Sequence, residues 1–311
     1  MDTRLHLAVD AVGIKYGGGA TVLLDFIEAA LAEPRIEQLS VFTSLRELRR
    51  FTLPAEPRLT EIEVPNVDSS TIARFRWHLV DMGKRSVKIG ADLVLCFANM
   101  GRAPTPYVVF IQQSLPFSRE ALATLRLPQR ARMTIIREMM RYSCRSARHV
   151  LVQTPVMVSA LQAAFGLNGE RISYFLPSTK LPDQLLEPEH ALLELFQSTP
   201  EGQRLLFVGG YDDTYRMLGT VIEGMKLLRE ILPQAVLYLT LPKDHPFSSI
   251  PGIVCCGILD RAELRYAYQM TTLLVLPSLV ETVGLPMIEA MSVGTPTAAA
   301  DRPYAHTVCE D

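Results

Sequence analysis

The chain has 311 residues, 48% hydrophobic and 21% charged, with a formal net charge of −2. That length suits two globular domains of roughly 150 residues each, and the composition excludes the disordered, collagen-like and disulfide-stapled classes. Five cysteines without a C-x-x-C pair read as thiols in a reducing cytoplasm, the longest apolar runs (273–276, 298–300) fall far short of a membrane span, and the first residues do not read as a signal peptide.

Taken in chain order, short β-type runs alternate with helical patterns, the signature of βαβ units and a parallel sheet. A strand at 5–9 leads into a Gly-rich turn at 13–19 and then a helix at 21–31, with Val22, Leu23, Phe26, Ile27 and Ala30 on one side. Strands are expected at 39–43, 59–64, 93–97, 108–111, 149–152 and 172–175. Helices are expected at 70–89, 129–146 and 156–165. The alternation breaks at 177–202, where four prolines mark an interdomain connection with one short helix at 188–197. It restarts with strand 205–208, helix 214–231, strands 236–240 and 253–255, helix 261–269, strand 273–276, helix 286–292 and strand 296–299. The expected architecture is α/β: two Rossmann-like, doubly wound parallel-sheet domains, 1–176 and 203–311, joined by a linker at 177–202.

The near-zero net charge conceals an asymmetry. Residues 1–150 hold 21 Lys/Arg against 15 Asp/Glu, whereas 151–311 hold 10 against 18. Eight arginines lie between 119 and 148, and Arg130, Arg137, Arg141, Arg145 and Arg148 recur at spacings that share a helix face. Such a face suits an anionic membrane surface or a phosphate-bearing acceptor; a solvated helix is the plain alternative. No nucleic-acid partner is expected.

The segment with most chemistry runs from Pro277 to Pro296. A strand ends at Leu276, a loop with Glu281 and Gly284 follows, and Pro286 stands where a helix begins, where its missing N–H is no loss. Unpaired amides around Gly284 and the helix dipole make a ready pyrophosphate site. The carboxylates of Glu281 and of Glu289, expected in the first helical turn, can each accept hydrogen bonds from a sugar diol.

Glu281 and Glu289, with seven residues between them, together with Gly284, Pro286, Ala290, Gly294 and Pro296, resemble the E-x7-E motif of the GT4 family of retaining glycosyltransferases. The resemblance implies the GT-B fold, two Rossmann-like domains facing a central cleft, and a nucleotide-diphosphate sugar as donor. It implies that Glu289 holds the ribose, that Glu281 lies by the transferred sugar, and that main-chain amides of Thr282, Val283, Gly284 and Leu285 meet the diphosphate. Gly209 and Arg216, in the turn after strand 205–208, are similar to the family's glycine turn and its phosphate-clamping basic residue; a guanidinium suits two phosphate oxygens. The family often has a second basic residue where Gly210 stands here, and an Asn where Met217 stands. Ile258 falls in the turn that lies along the nucleotide base. Gly18 and Gly19 resemble the N-domain glycine loop. Gln112 and Gln113 lie where relatives carry His-Asp facing the sugar; they can hydrogen-bond a sugar but cannot ferry protons.

Neither a metal nor a cofactor is expected, since Asp212-Asp213 is not Asp-x-Asp and no histidine pair has ligand spacing. The implied activity is metal-independent transfer of a hexose to a cell-surface saccharide or lipid-linked saccharide acceptor, performed in the cytoplasm or at the cytoplasmic face of the membrane. Family members continue past strand 296–299 with a further strand and helices, whereas twelve residues follow Ala299 here. A nucleotide-sugar-binding remnant without turnover is therefore an alternative expectation, with a nucleotide-sugar epimerase a third.

Overall fold

The computed structural model describes residues 4–177, 181, 190–209 and 214–309. The chain forms two compact units, Met1–Phe117 with Leu127–Pro177, and Ser118–Arg126 with Ser178–Asp311. In chain order its elements are β1 (Leu5–Asp10), α1 (Gly17–Ala32), β2 (Ile36–Thr43), β3 (Leu59–Glu63), α2 (Thr71–Arg76), a π-helical turn (Trp77–Asp81), α3 (Met82–Lys88), β4 (Leu93–Cys96) and β5 (Tyr107–Phe110). There follow α4 (Arg119–Thr124), α5 (Leu127–Ser146), β6 (His149–Val152), α6 (Pro155–Phe165), β7 (Ile172–Tyr174) and α7 (His190–Gln197). The rest are β8 (Arg204–Phe207), α8 (Leu218–Ile231), β9 (Val236–Leu239), β10 (Ile253–Cys255), α9 (Arg261–Met270), β11 (Leu273–Leu276), α10 (Leu285–Ser292), β12 (Thr297–Ala299) and α11 (Pro303–Cys309).

The first unit holds a seven-stranded sheet in the order β3-β2-β1-β4-β5-β6-β7, and every pair is parallel. Parallel neighbours need crossover helices, which cover both faces and bury the inner strands, while the edge strands β3 and β7 stay largely exposed. Val9, Val41, Val94, Val109 and Val150, one from each of five adjacent strands, are fully buried. Among the polar groups buried with this core, a carboxylate stands at the end of β1. Asp10, at the end of β1, accepts hydrogen bonds from Trp77 Nε1 (2.9 Å) and pairs with His78 Nδ1 (2.6 Å), so it fastens the π-helical turn to the carboxyl edge of the sheet. The unbroken helix expected at 70–89 is therefore α2 and α3 joined through a wider turn.

The second unit holds a five-stranded parallel sheet, β10-β9-β8-β11-β12. Alternate residues serve its two faces. Leu206, Tyr238 and Leu274 pack with Phe196, Tyr266 and Ala290 on one face. Phe207, Leu237 and Leu239 pack with Leu218, Ile222 and Met225 on the other. This is the doubly wound arrangement expected.

The residues expected to form the connection contribute to this second core: Leu181, Leu192 and Phe196 are buried in it, and α7 occupies much of 188–197. Linker positions 178–180 and 182–189 lie outside the described residues, as do Gly210, Asp212 and Asp213. A second departure is the short segment 118–126, which packs with the second unit although it lies in the first half of the chain. Ser118 caps α4 through Ala121 N (3.1 Å), Glu120 makes a bidentate pair with Arg302 (2.8 Å each), and Thr124 Oγ1 lies 3.0 Å from Thr214 Oγ1.

Candidate functional site

The strand order of the second unit reverses at β8, whose neighbours are β9 and β11. Open α/β sheets bind ligands at the carboxyl end of such a switch point, in the crevice between the two loops that leave it. Here Gly209 and Thr214–Arg216 follow β8, and Pro277–Gly284 follows β11. A hydrogen bond from Leu279 N to Tyr215 O (2.9 Å) ties them together.

Gly284 is the N-cap of α10 and has φ +77°, a left-handed conformation that glycine adopts without penalty. A Cβ there would lie 2.7 Å from Met287 Cε and 3.2 Å from Leu276 Cδ2. Pro286 sits in the first turn, and no side chain caps the helix. The end of α10 beside Thr282, Val283 and Leu285 thus keeps the polarity that favours an anion. Val283 is fully buried beneath this helix end.

Arg216 ends a 3₁₀ turn, Thr214–Arg216, rather than opening a single helix over 214–231. Met217 takes φ +57° and ψ +28°, and this left-handed residue separates the turn from α8. The guanidinium of Arg216 lies 3.5 Å from Val208 O and over the Tyr215 ring at 5.9 Å. Gly209 makes room for it: a Cβ at that position would lie 3.4 Å from Arg216 Nη1 and 2.7 Å from the Phe207 ring. Thr240 Oγ1 holds the Gly209 amide at 2.9 Å.

Glu289 departs from its expected place. It is the fifth residue of α10, and no acidic residue occupies the first turn. The helix begins at Leu285, one residue earlier than expected, which puts Glu289 just past the first turn, 6% exposed, where its Oε2 accepts a 2.8 Å hydrogen bond from the hydroxyl of Tyr268 on α9. Burial, and then the negative charge of Glu289, push the Tyr268 hydroxyl well above its ordinary pKa, so Tyr268 stays a donor.

Tyr304, on α11, has no counterpart in the sequence-based expectations. It packs with Leu276 and Met287, and its hydroxyl donates to Ser278 O (2.8 Å). Its pKa is raised first by burial and then by the charge of Glu281, while Arg302 and Arg216 pull the other way. Glu281, Arg216, Arg302 and Tyr304 therefore share one electrostatic neighbourhood. Arg302 adds a cation to this region, held by Glu120. A Tyr among the residues after strand 296–299 offered little signal, because its role depends on a helix that the short 300–311 stretch did not suggest.

Ile258 is exposed beyond β10, next to Gly257, whose φ is +92° and whose amide donates to Leu241 O (2.8 Å). The other expected site residues belong to the first unit. Gly18 and Gly19 lie inside the first turn of α1 rather than ahead of it, because Gly17 turns the chain directly into the helix with φ +68°. Gln112 and Gln113 follow β5. The Gln112 side chain donates to Phe97 O (2.9 Å), bracing the ends of β4 and β5, and Gln113 Nε2 contacts Met133 Sδ at 3.9 Å. Among the described residues, no group of three or more His, Cys, Asp or Glu is placed to hold a metal ion.

Two parallel sheets, of seven and five strands, each with its own helices, make the GT-B fold, and comparison with known proteins agrees. Residues 202–311 match the family model for glycosyl transferases group 1. The chain is similar to the O-antigen chain mannosyltransferase RfbU of Salmonella typhimurium, with 27% identity over 177 residues, 55% of this chain and 47% of that protein. It thus spans about half the length of the curated relative it matches. Among solved structures, WaaG, a glycosyltransferase involved in lipopolysaccharide biosynthesis, has a TM-score of 0.74 at 18% identity, covering 98% of this chain and 84% of that one. HepE from Anabaena, in complex with UDP and glucose, has a TM-score of 0.62 at 15% identity, covering 97% and 82%. At these identities the structural likeness establishes the fold alone.

Proposed function

We propose that the protein is a retaining glycosyltransferase that moves a hexose from a nucleotide-diphosphate sugar to a saccharide or lipid-linked saccharide acceptor, without metal or cofactor. The observation that carries this reading is the pair of tied loops at the β8/β11 switch point, with Arg216 on one and the glycine-capped start of α10 on the other. Both supply positive potential, the requirement for binding a diphosphate and stabilising it as it leaves. The family model over 202–311 and the likeness to RfbU support sugar transfer as the chemistry.

In this reading the diphosphate meets Arg216 and the main-chain amides of residues 282–285, Glu289 takes the ribose hydroxyls, Glu281 lies by the transferred sugar, and Ile258 borders the base. The bond between the anomeric carbon and the diphosphate oxygen breaks as Arg216 and the α10 end stabilise the growing negative charge. The acceptor hydroxyl oxygen bonds to the anomeric carbon from the same face, and its proton passes to the departing phosphate oxygen. No protein nucleophile is needed, which suits a chain with glutamines at 112 and 113.

Incubation of the protein with UDP- and GDP-hexoses and lipid-extracted saccharide acceptors tests the proposal. A glycosylated product with the donor's anomeric configuration is the expected result. Release of free nucleoside diphosphate without acceptor modification, an inverted product, or epimerised donor would contradict it.

A further inference from the structure

The first unit carries a surface that the proposed chemistry does not use. α2, the π-helical turn and α3 form one rod over 71–88, and α5 forms another over 127–146. Both cross over rightward in the sheet order, from β3 to β4 and from β5 to β6, and right-handed connections put both on the same sheet face. The 101–104 stretch lies between the two helices: Arg102 N donates to His78 O (2.9 Å), its guanidinium sits over the Tyr142 ring at 4.9 Å, and Gly101 N donates to Ser143 Oγ (3.2 Å).

Each helix turns a mixed apolar and basic stripe to solvent. On the first, Ile72 (79% exposed), Arg76, Val80, Lys84 and Val87 follow at steps of three and four. On α5, Leu127 (78% exposed), Ile135 and Tyr142 are exposed opposite the buried Met133, Ile136 and Met140. Arg130, Arg137 and Arg141 run along one side of that apolar stripe and Arg132 along the other. Residues 71–88 and 127–146 together hold ten Lys/Arg against two Asp/Glu. Both acids are already engaged: Asp81 pairs with Arg76, and Glu138 with Arg141 and Arg137.

We infer that this two-helix face docks the protein on an anionic lipid bilayer, lying in the interface rather than crossing it. A soluble phosphate ligand would need a concave cationic site and has no use for exposed isoleucine and leucine. A headgroup layer satisfies both halves of the surface, with arginines at the phosphates and apolar side chains at the acyl boundary. No described helix is long and apolar enough to span a membrane. The inference stands apart from the proposed reaction, because lipid binding is read without donor or acceptor.

The test is flotation of the full chain with vesicles of phosphatidylcholine alone and of phosphatidylcholine mixed with phosphatidylglycerol. Co-flotation with the anionic vesicles only, weakening with added salt, is expected. Combining Arg130→Gln, Arg132→Gln and Arg137→Gln should weaken partitioning on the order of 100-fold. Leu127→Ser with Ile135→Ser leaves the charge unchanged and should still weaken it roughly 10-fold or more. All five positions are at the surface, so unchanged thermal melting would show that both variants fold. Failure of the wild type to float with anionic vesicles would overturn the proposal. So would full binding by the Leu127/Ile135 variant together with competition by soluble polyphosphate, which would make the surface a phosphate site.

Discussion

Tyr268 and Glu289, 21 residues apart, meet in the interior of the second unit, where the tyrosine hydroxyl donates a 2.8 Å hydrogen bond to one carboxylate oxygen. The bond locks α9 against α10 and fixes the orientation of the carboxylate proposed to hold the donor ribose. An ionised carboxylate this deeply buried is costly without such a donor.

Tyr268→Phe should therefore destabilise the protein by about 1.5–3 kcal/mol, the range for a hydrogen bond to a charged group. The same variant should raise the donor Kd, because Glu289 loses its anchor. Chemical denaturation and donor titration on one preparation separate the two effects. A variant with wild-type stability and donor affinity would remove Tyr268 from the account.

Gly284→Ala forces an L-residue into φ +77° and drives its Cβ to 2.7 Å from Met287 Cε. The left-handed conformation alone costs about 1–2 kcal/mol. Since the glycine caps the helix end proposed to face the diphosphate, donor binding should fall further than stability does. Melting temperature and donor affinity measured together decide it, and equal wild-type values for both would contradict the geometry.

Met217→Asn should act in the opposite direction. Met217 occupies φ +57° between the Arg216 turn and α8, a region that Asn tolerates better than Met. A gain of about 0.5–1 kcal/mol in unfolding free energy is expected. A loss would mean that packing of the Met217 side chain outweighs its backbone strain.

Stability should decline on the alkaline side. Burial raises the thiols of Cys144, in the first unit, and Cys256, in the second, to about 12. Unfolded thiols titrate from about 8.5. Raised folded-state values mean that the contribution is complete below the unfolded pKa and is lost as pH climbs through the folded one, so stability should fall progressively between about 8.5 and 12. Denaturant midpoints across that window provide the check; a flat profile in the wild type would contradict it. At neutral pH, Cys309 is exposed and the other four thiols are buried, so a thiol reagent should label Cys309 first.

Much of the fold was legible because each strand is a short apolar run between turn signals, and each helix repeats its apolar residues at three and four. Val9, Val41, Val94, Val109 and Val150 announce buried parallel strands by side-chain type alone. The phosphate-suited loops were legible for the same local reason: Gly284, Pro286 and Gly209 carry their conformational meaning within a few residues. What stayed hidden is non-local. Nothing in 118–126 indicates that Glu120 pairs with Arg302, 182 residues away, and carries its segment into the second unit. The depth of Glu289 depended on where α10 begins, a difference of one residue that moved a carboxylate expected in the first turn just past it, where it is buried. Tyr304 depended on α11, a seven-residue helix whose pattern is too short to read.

The central claim is that a nucleotide-diphosphate sugar binds at the β8/β11 switch point of the second unit. Its most direct test is calorimetric titration of the wild type, Arg216→Ala and Glu289→Ala with UDP- and GDP-hexoses. The account predicts saturable binding of one nucleotide class by the wild type. Loss of charge-assisted contacts worth about 1.5–3 kcal/mol should weaken each variant roughly 10- to 100-fold while it remains folded. Equal affinity in all three proteins, or no binding of any donor to the wild type, would contradict it.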